Sequence, residues 1–227
     1  LRDENPSGTP PIVTITFIVL CMLVFLWQLS FGADGGNRLV FALGVVPAVL
    51  LGQGQLPPDL SLVAPWMTIF TSMFMHGGWM HLIGNMLYLW IFGDNVEDSM
   101  GHGRFVVFYL LCGAAAVFAQ ALPDPSSTVP MVGASGAISG VLGAYLLLYP
   151  HARVLVVIPF GFYLHPMRIP AGLVLVLWFG LQLLSNAMAQ AGQGGVAFRA
   201  HIGGFLAGMI LIPIFKQRRV RLRAPWG

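Results

Sequence analysis

The sequence predicts an all-α polytopic membrane protein with six spans, and three observations predict it. Hydrophobic residues make up 57% of the chain and charged residues only 8%, against about 25% charged in ordinary soluble domains. The mean hydropathy is +0.80, and apolar runs recur at about 20 residues, the length that crosses a hydrocarbon core of about 30 Å as a helix. Lysine and arginine are distributed unevenly between the connections joining those runs.

Taken in order, residues 1–10 form a polar N-terminal segment, 11–215 a six-span core and 216–227 a basic tail. The polar start lacks the basic leader and small-residue cleavage site of a secretory signal, so the apolar segment at 11–31 is expected to persist as a span. The connection from Phe31 to Pro65 is long, and its apolar stretch Leu39 to Leu51 is expected to hold structure lying in the membrane interface. Further spans are expected at 79–96, 103–122, 135–149, 171–189 and 199–215. The fourth covers about 15 residues, roughly 22 Å at 1.5 Å per residue, which is short of the hydrocarbon core, so its top should be recessed. Ahead of it, Ala121 to Ala134 holds three prolines and should dip into the membrane without regular helix, lining a wet cavity.

Six spans place both ends on one side. If that side is cytoplasmic it holds Arg2, Arg104, Arg153, Arg168, Lys216, Arg218, Arg219, Arg221 and Arg223, leaving Arg38 and Arg199 outside. Spans two, four and six then share one direction, with their N-terminal turns in the outer leaflet. The basic tail reads as an anchor to membrane lipids, not as a nucleic-acid patch. Cys21 and Cys112 lie in separate apolar segments and read as small hydrophobes. No zinc-type cysteine cluster exists, so neither metal nor other cofactor is expected.

Polar groups inside a span need a partner or a cavity. Span two carries His81 and Asn85, four apart on one face; span four opens on Gly133-Ala-Ser-Gly136; span six carries His201 near its start. The shared direction brings all three to one depth. Ser135 is then the candidate nucleophile and His201 the base that takes its proton. Close approach of the two helices is expected from small-residue ridges, Gly136, Gly140 and Ala144 on one and Gly204 and Gly208 on the other. The Ser135 amide, at a helix N-terminus, and the His81 and Asn85 side chains are candidate oxyanion donors. Asp34, Asp59, Asp94, Asp98 and Asp124 read as loop or boundary residues, which favours a Ser-His dyad over a triad. Each residue also has an ordinary structural reading: glycines at helix contacts, a hydrogen-bonded histidine, an asparagine joining two helices.

Four stretches together resemble the rhomboid family of intramembrane proteases over nearly the whole chain. They are Phe74-Met-His-Gly-Gly-Trp-Met-His-Leu-Ile-Gly-Asn85, Phe92-Gly-Asp-Asn-Val-Glu-Asp98, Gly133-Ala-Ser-Gly136 and Ala200-His-Ile-Gly-Gly-Phe-Leu-Ala-Gly208. The resemblance implies a six-helix rhomboid bundle, Ser135 as nucleophile, His201 as general base and then acid, and oxyanion donors from the Ser135 amide, His81 and Asn85. It also implies that the fifth span, with Trp178 and Phe179, sits where the family has a lateral gate, and that residues near the cut are small. Two positions depart from the family pattern. Trp66 is followed by Met67 where many relatives have arginine, and Ser139 stands where many have an aromatic residue.

The expected activity is thus that of an intramembrane serine endopeptidase whose partners are transmembrane protein substrates, in a bacterial plasma membrane with both termini cytoplasmic. A non-catalytic rhomboid-like protein that binds membrane segments, or a small transporter, would use the same cavity. The presence of Ser135 and His201 together favours catalysis. No His-Glu-x-x-His motif and no pair of intramembrane aspartates points to another protease class.

Overall fold

The computed structural model describes residues 3–160, 163–188 and 197–222. Arg2, Arg223 and the last residue of the expected fifth span, Ala189, lie outside the described residues. Each expected apolar segment becomes a helix. The chain runs α1 (Ile12–Leu29), α2 (Gly32–Leu43), α3 (Pro47–Leu50), α4 (Thr68–Thr71), α5 (Trp79–Met100), α6 (His102–Ala121) and α7 (Ser135–Leu148). It continues through β1 (Arg153–Phe160), β2 (Tyr163–Pro170), α8 (Ala171–Met188) and α9 (Phe198–Phe215). The result is a multi-pass, integral membrane protein of the helical class. Among the described residues, α1, α6, α8 and α9 are each long and apolar enough to cross a membrane unaided. Helix α7 has only 14 residues, and α5 carries Asp94, Glu97 and Asp98 in its last two turns.

Hydrogen bonds at one end of the bundle establish helix direction. The C-terminal end of α5 meets the start of α1 through Glu97, the C-terminal half of α7 reaches the N-terminal segment through Tyr145 Oη to Asp3 at 2.5 Å, and Gln217 N, just past α9, donates to Ser99 O at 2.8 Å. Helices α5, α7 and α9 therefore run the same way, and their N-terminal turns gather at the opposite end, where the candidate site lies.

Glu97 is the polar anchor of the first end. Its fully buried carboxylate accepts from Val13 N at 2.9 Å, Thr14 N at 2.8 Å and Thr14 Oγ1 at 2.7 Å, and faces His102 Nδ1 at 2.6 Å. Pro11 precedes α1 and offers no side-chain cap, so a carboxylate from another helix satisfies the amides that the first turn leaves free. Glu97→Ala is expected to destabilise the fold by about 2–3 kcal/mol, from the lost charge-assisted bonds and cap. Thermal unfolding in detergent micelles would read this as a lowered midpoint. Asp94 and Asp98, expected at a loop or boundary, lie in the last two turns of helix α5, because α5 continues to Met100, beyond the apolar stretch, and Asp34 lies in the first turn of α2.

The helix contact at the centre follows the small residues, with one change of detail. A Cβ added to Gly204 would run into the Gly136 carbonyl, and one added to Gly208 into the Gly140 carbonyl. The Cα–H faces of Gly136 and Gly140 themselves turn toward Ala116 and Cys112 of α6, and Gly143 abuts the Phe205 backbone. Helix α7 is thus pressed between α6 and α9 and buried along most of its length. Backbone carbonyls at van der Waals distance replace side-chain interdigitation, which suits helices that gain no hydrophobic drive from association in lipid.

A β-hairpin between α7 and α8 is absent from the sequence-based expectation. β1 and β2 pair antiparallel from Arg153 opposite Pro170. The N-terminal segment joins this pair through Glu4 N to Arg153 O at 2.9 Å and Arg168 Nε to Glu4 Oε1 at 2.8 Å. The β-branched run Val154-Leu-Val-Val-Ile158 bounded by proline and glycine carried the signal. The long first connection holds α2 and α3. Lacking arginine at 67, it is pinned by Thr71 Oγ1 to Leu43 O at 2.6 Å and by the Arg38–Asp59 ion pair, while Trp66 and Met67 remain exposed.

Candidate active site

The segment that leads into α7 is extended and held at both edges. Val45 and Met131 exchange backbone hydrogen bonds at 2.9 and 2.8 Å, Ala48 N donates to Ser127 O at 3.0 Å, and Gly133 N donates to Ser72 O at 2.9 Å. The proline-bearing stretch is non-helical, as its composition requires, and Ser127 and Met131 within it pair with the backbone of the first connection. Gly133 has φ +126°, a conformation that favours glycine, and a Cβ there would overlap His81 Cε1 and Nε2. Glycine at 133 therefore serves both the turn into α7 and the approach of the His81 ring.

Ser135 is the first residue of α7, and its Oγ lies 2.9 Å from His201 Nε2 across the α7–α9 contact. An imidazole nitrogen at this separation can accept a hydroxyl proton. Ser139, one turn below Ser135, is buried and donates its hydroxyl to Ser135 O at 2.6 Å. It packs at the helix contact and leaves the imidazole to another neighbour. That neighbour is Trp178, whose ring centroid lies 6.0 Å from that of His201 at 34°, so an aromatic group from α8 stands beside the ring. Phe179 stacks on Phe205 of α9 at 4.5 Å.

His81 and Asn85 approach from α5. Gly77 N–H points at His81 Nδ1 across 3.5 Å, a long contact that favours a ring proton on Nε2, the nitrogen beside Gly133. Asn85 Nδ2 is buried without a hydrogen-bond partner among the described residues and also lies next to Gly133. Two donors from one face of α5 thus converge on the backbone preceding Ser135, whose own amide belongs to the first turn of α7. Such a cluster can hold a negative oxygen. A cavity of about 940 Å³ contains these groups and is lined by Ser135, His201, His81, Asn85, Trp178 and Arg199, among others. Among the described residues, no three His, Cys, Asp or Glu side chains converge as metal ligands would.

Two residues of the site escaped the sequence reading. Gln182 on α8 places Oε1 2.8 Å from His201 Nδ1. Gln120 at the end of α6 accepts from Ala200 N at 3.3 Å, steadying the first turn of α9. Both are polar residues in apolar helices, the same signal that singled out His81 and Asn85.

A family profile described as Rhomboid domain matches residues 64–218. The chain is 31% identical to Rhomboid protein 1, mitochondrial, of Saccharomyces cerevisiae, over 98% of the chain and 70% of that protein. It is 33% identical to Rhomboid protease GluP of Bacillus subtilis over 88% of the chain, although this spans only 35% of GluP. Rhomboid protease AarA of Providencia stuartii is more distant, at 25% identity over 88% of the chain and 70% of the relative. The profile covers Ser135, His201 and the α5 donors in one stretch, and the yeast relative extends the similarity to nearly the full length; the chain belongs to the rhomboid family.

Proposed function

We propose that the protein is an intramembrane serine endopeptidase that cleaves membrane-spanning protein segments, with Ser135 as nucleophile and His201 as general base and then acid. The 2.9 Å approach of Ser135 Oγ to His201 Nε2, inside a cavity lined by α5, α7, α8 and α9 together with the non-helical segment before α7, carries this reading. The names of GluP and AarA as rhomboid proteases support it.

In this mechanism His201 Nε2 accepts the hydroxyl proton as Ser135 Oγ bonds to the scissile carbonyl carbon. The carbonyl π pair moves onto oxygen, where the Ser135 amide and the His81 and Asn85 side chains donate to it. Collapse breaks the C–N bond, and His201 returns the proton to the departing amine. Water, deprotonated by the same imidazole, then attacks the ester and releases Ser135. The substrate segment must leave helical form to enter, because a helix shields its peptide carbonyls by hydrogen bonding. The Lys/Arg asymmetry orients the chain with both termini cytoplasmic, so the cavity end faces outward and supplies the water. Helix α8, bearing Trp178 and Phe179, forms the lateral wall through which the substrate enters.

A fluorophosphonate probe tests this directly on protein reconstituted in liposomes. Wild-type protein is expected to carry the probe on Ser135, located by peptide mass spectrometry, and to cleave a single-span substrate. Ser135→Ala should do neither. A folded wild-type protein that binds such substrates but takes no probe and cuts nothing would instead be a membrane-segment binding protein.

A further inference from the structure

We propose that Gln182 on α8 is the positioning residue of His201, fixing the imidazole tautomer that lets it act as base, and that α8 thereby controls whether Ser135 is reactive. The proposal rests on the Ser135–His201 reading above.

A neutral imidazole has one N–H and one acceptor nitrogen. For His201 Nε2 to accept from Ser135 Oγ, the proton must reside on Nδ1, and a buried N–H there needs an acceptor. Gln182 Oε1 lies 2.8 Å from Nδ1. An amide could also present its NH2 group to Nδ1, which would force the proton onto Nε2 and leave Ser135 without a base. Trp178 O favours the first. Gln182 Nε2 lies 3.5 Å from this carbonyl, the outer limit of a hydrogen bond, and the carbonyl can only accept, which favours the amide NH2 toward Trp178 and the amide oxygen toward His201. Direction then propagates along one chain: Gln182 Nε2–H donates to Trp178 O, His201 Nδ1–H to Gln182 Oε1, and Ser135 Oγ–H to His201 Nε2.

A neutral amide fits this depth better than a carboxylate does, because an ionised acid beside lipid carries a large desolvation cost. The acids of α5 are all at the other end of the bundle. Cysteine proteases with a Cys-His-Asn set use an amide in the same position relative to their imidazole.

Gln182 sits on the least buried of the four helices that, among the described residues, are long and apolar enough to span a membrane. Only Ala171 and Leu175 of α8 are fully buried, and its aromatic contacts near the site are Trp178 and Phe179 against His201 and Phe205. A displacement of α8 from α9 breaks the Gln182–His201 bond and frees the ring to adopt the unproductive tautomer. The base is therefore competent when α8 is seated.

The groups facing His201 are Ser135 from α7, Gln182 and Trp178 from α8 and His81 from α5; Arg199 lines the same cavity from the preceding part of α9. His81 is the titratable one among the first four, and it is unchanged in each variant proposed.

The test uses the full chain in liposomes. Gln182→Leu keeps the side-chain bulk and removes the acceptor; it is expected to lower kcat about 10²–10³-fold with KM within about twofold, and to slow fluorophosphonate labelling of Ser135 in parallel. Gln182→Glu restores an acceptor and is expected to recover most of kcat. Its charge should also move the acid limb of the pH–kcat profile upward by about one unit, since a carboxylate within about 4–6 Å favours imidazolium. Nitrogen-15 NMR of the wild-type His201 ring should show the proton on Nδ1, a readout that does not depend on any variant folding. Wild-type kcat in Gln182→Leu, loss of activity in Gln182→Glu equal to that in Gln182→Leu with an unmoved acid limb, or a proton on Nε2 in the wild-type resting state would each overturn the proposal. Labelling of wild-type Ser135 separates these outcomes from failure of the underlying reading: a labelled, active wild-type protein with an indifferent Gln182 leaves the Ser-His pair standing.

Discussion

His201→Ala is expected to lower turnover of a single-span substrate by about 10⁴-fold or more, while the protein remains folded. A serine hydroxyl is almost wholly protonated at neutral pH, and His201 Nε2 is the basic nitrogen within hydrogen-bond reach of Ser135 Oγ. In the proposed mechanism the same nitrogen returns the proton to the leaving amine, so its loss should slow both halves of the reaction. The donors around Gly133 remain, and they account for the residual rate. Asn85→Ala makes the graded comparison. Its buried, unpaired Nδ2 is one of three donors, and its removal should cost about 10²–10³-fold in kcat. Single-turnover cleavage in liposomes, with thermal unfolding as the fold control, measures both. Equal losses in the two variants, or robust cleavage by His201→Ala, would contradict the division of labour between base and oxyanion donors.

The helical frame was legible because lipid demands it. A backbone with no water to bond must be helical over about 20 apolar residues, so hydropathy alone located every long helix to within a few residues, α5 excepted at its C-terminal end. The candidate site was legible for a related reason: His81, Asn85, Ser135 and His201 are polar groups where polarity is expensive, and helix direction set them at one depth. Gln182 meets the same criterion, but a lone glutamine between leucines has no motif around it to single it out. The role proposed for it rests on α8 lying beside α9, where Oε1 falls 2.8 Å from Nδ1. The Glu97 cap on α1 joins residues 83 and 84 positions apart, a pairing that no local pattern encodes. The hairpin at Arg153–Pro170 was hidden by a different ambiguity. A short apolar run of β-branched residues reads equally as strand or as buried helix, and the stretch between the expected fourth and fifth spans is too short to cross a membrane, so hydropathy assigns it no element.

Gly208→Leu is expected to abolish activity by separating the two helices that carry the nucleophile and the base. At Gly208 the neighbouring atoms are O, C and Cα of Gly140, all backbone, so a side chain there cannot be accommodated by a rotamer change. The helices must move apart instead, and His201 lies seven residues away on the same helix, about 10 Å along it. A separation of even 1 Å at that lever removes Ser135 Oγ from hydrogen-bond distance of Nε2. Overpacking of this kind costs about 1–3 kcal/mol or more, and lipid offers no compensating hydrophobic drive to hold the pair together. Even Gly208→Ala should reduce cleavage by about tenfold or more, since the Cβ itself is what collides. Gly180→Ala on α8 is the control: nothing lies within 4 Å of its added Cβ, so activity should be retained and helix stability raised by about 0.5–1 kcal/mol. Fluorophosphonate labelling together with unfolding midpoints distinguishes a misfolded Gly208→Leu protein from a folded one with a parted site, and both outcomes are losses of function. Wild-type labelling and cleavage by Gly208→Leu would mean that α7 and α9 do not touch through their backbones, and the geometry that brings Ser135 to His201 would need another cause.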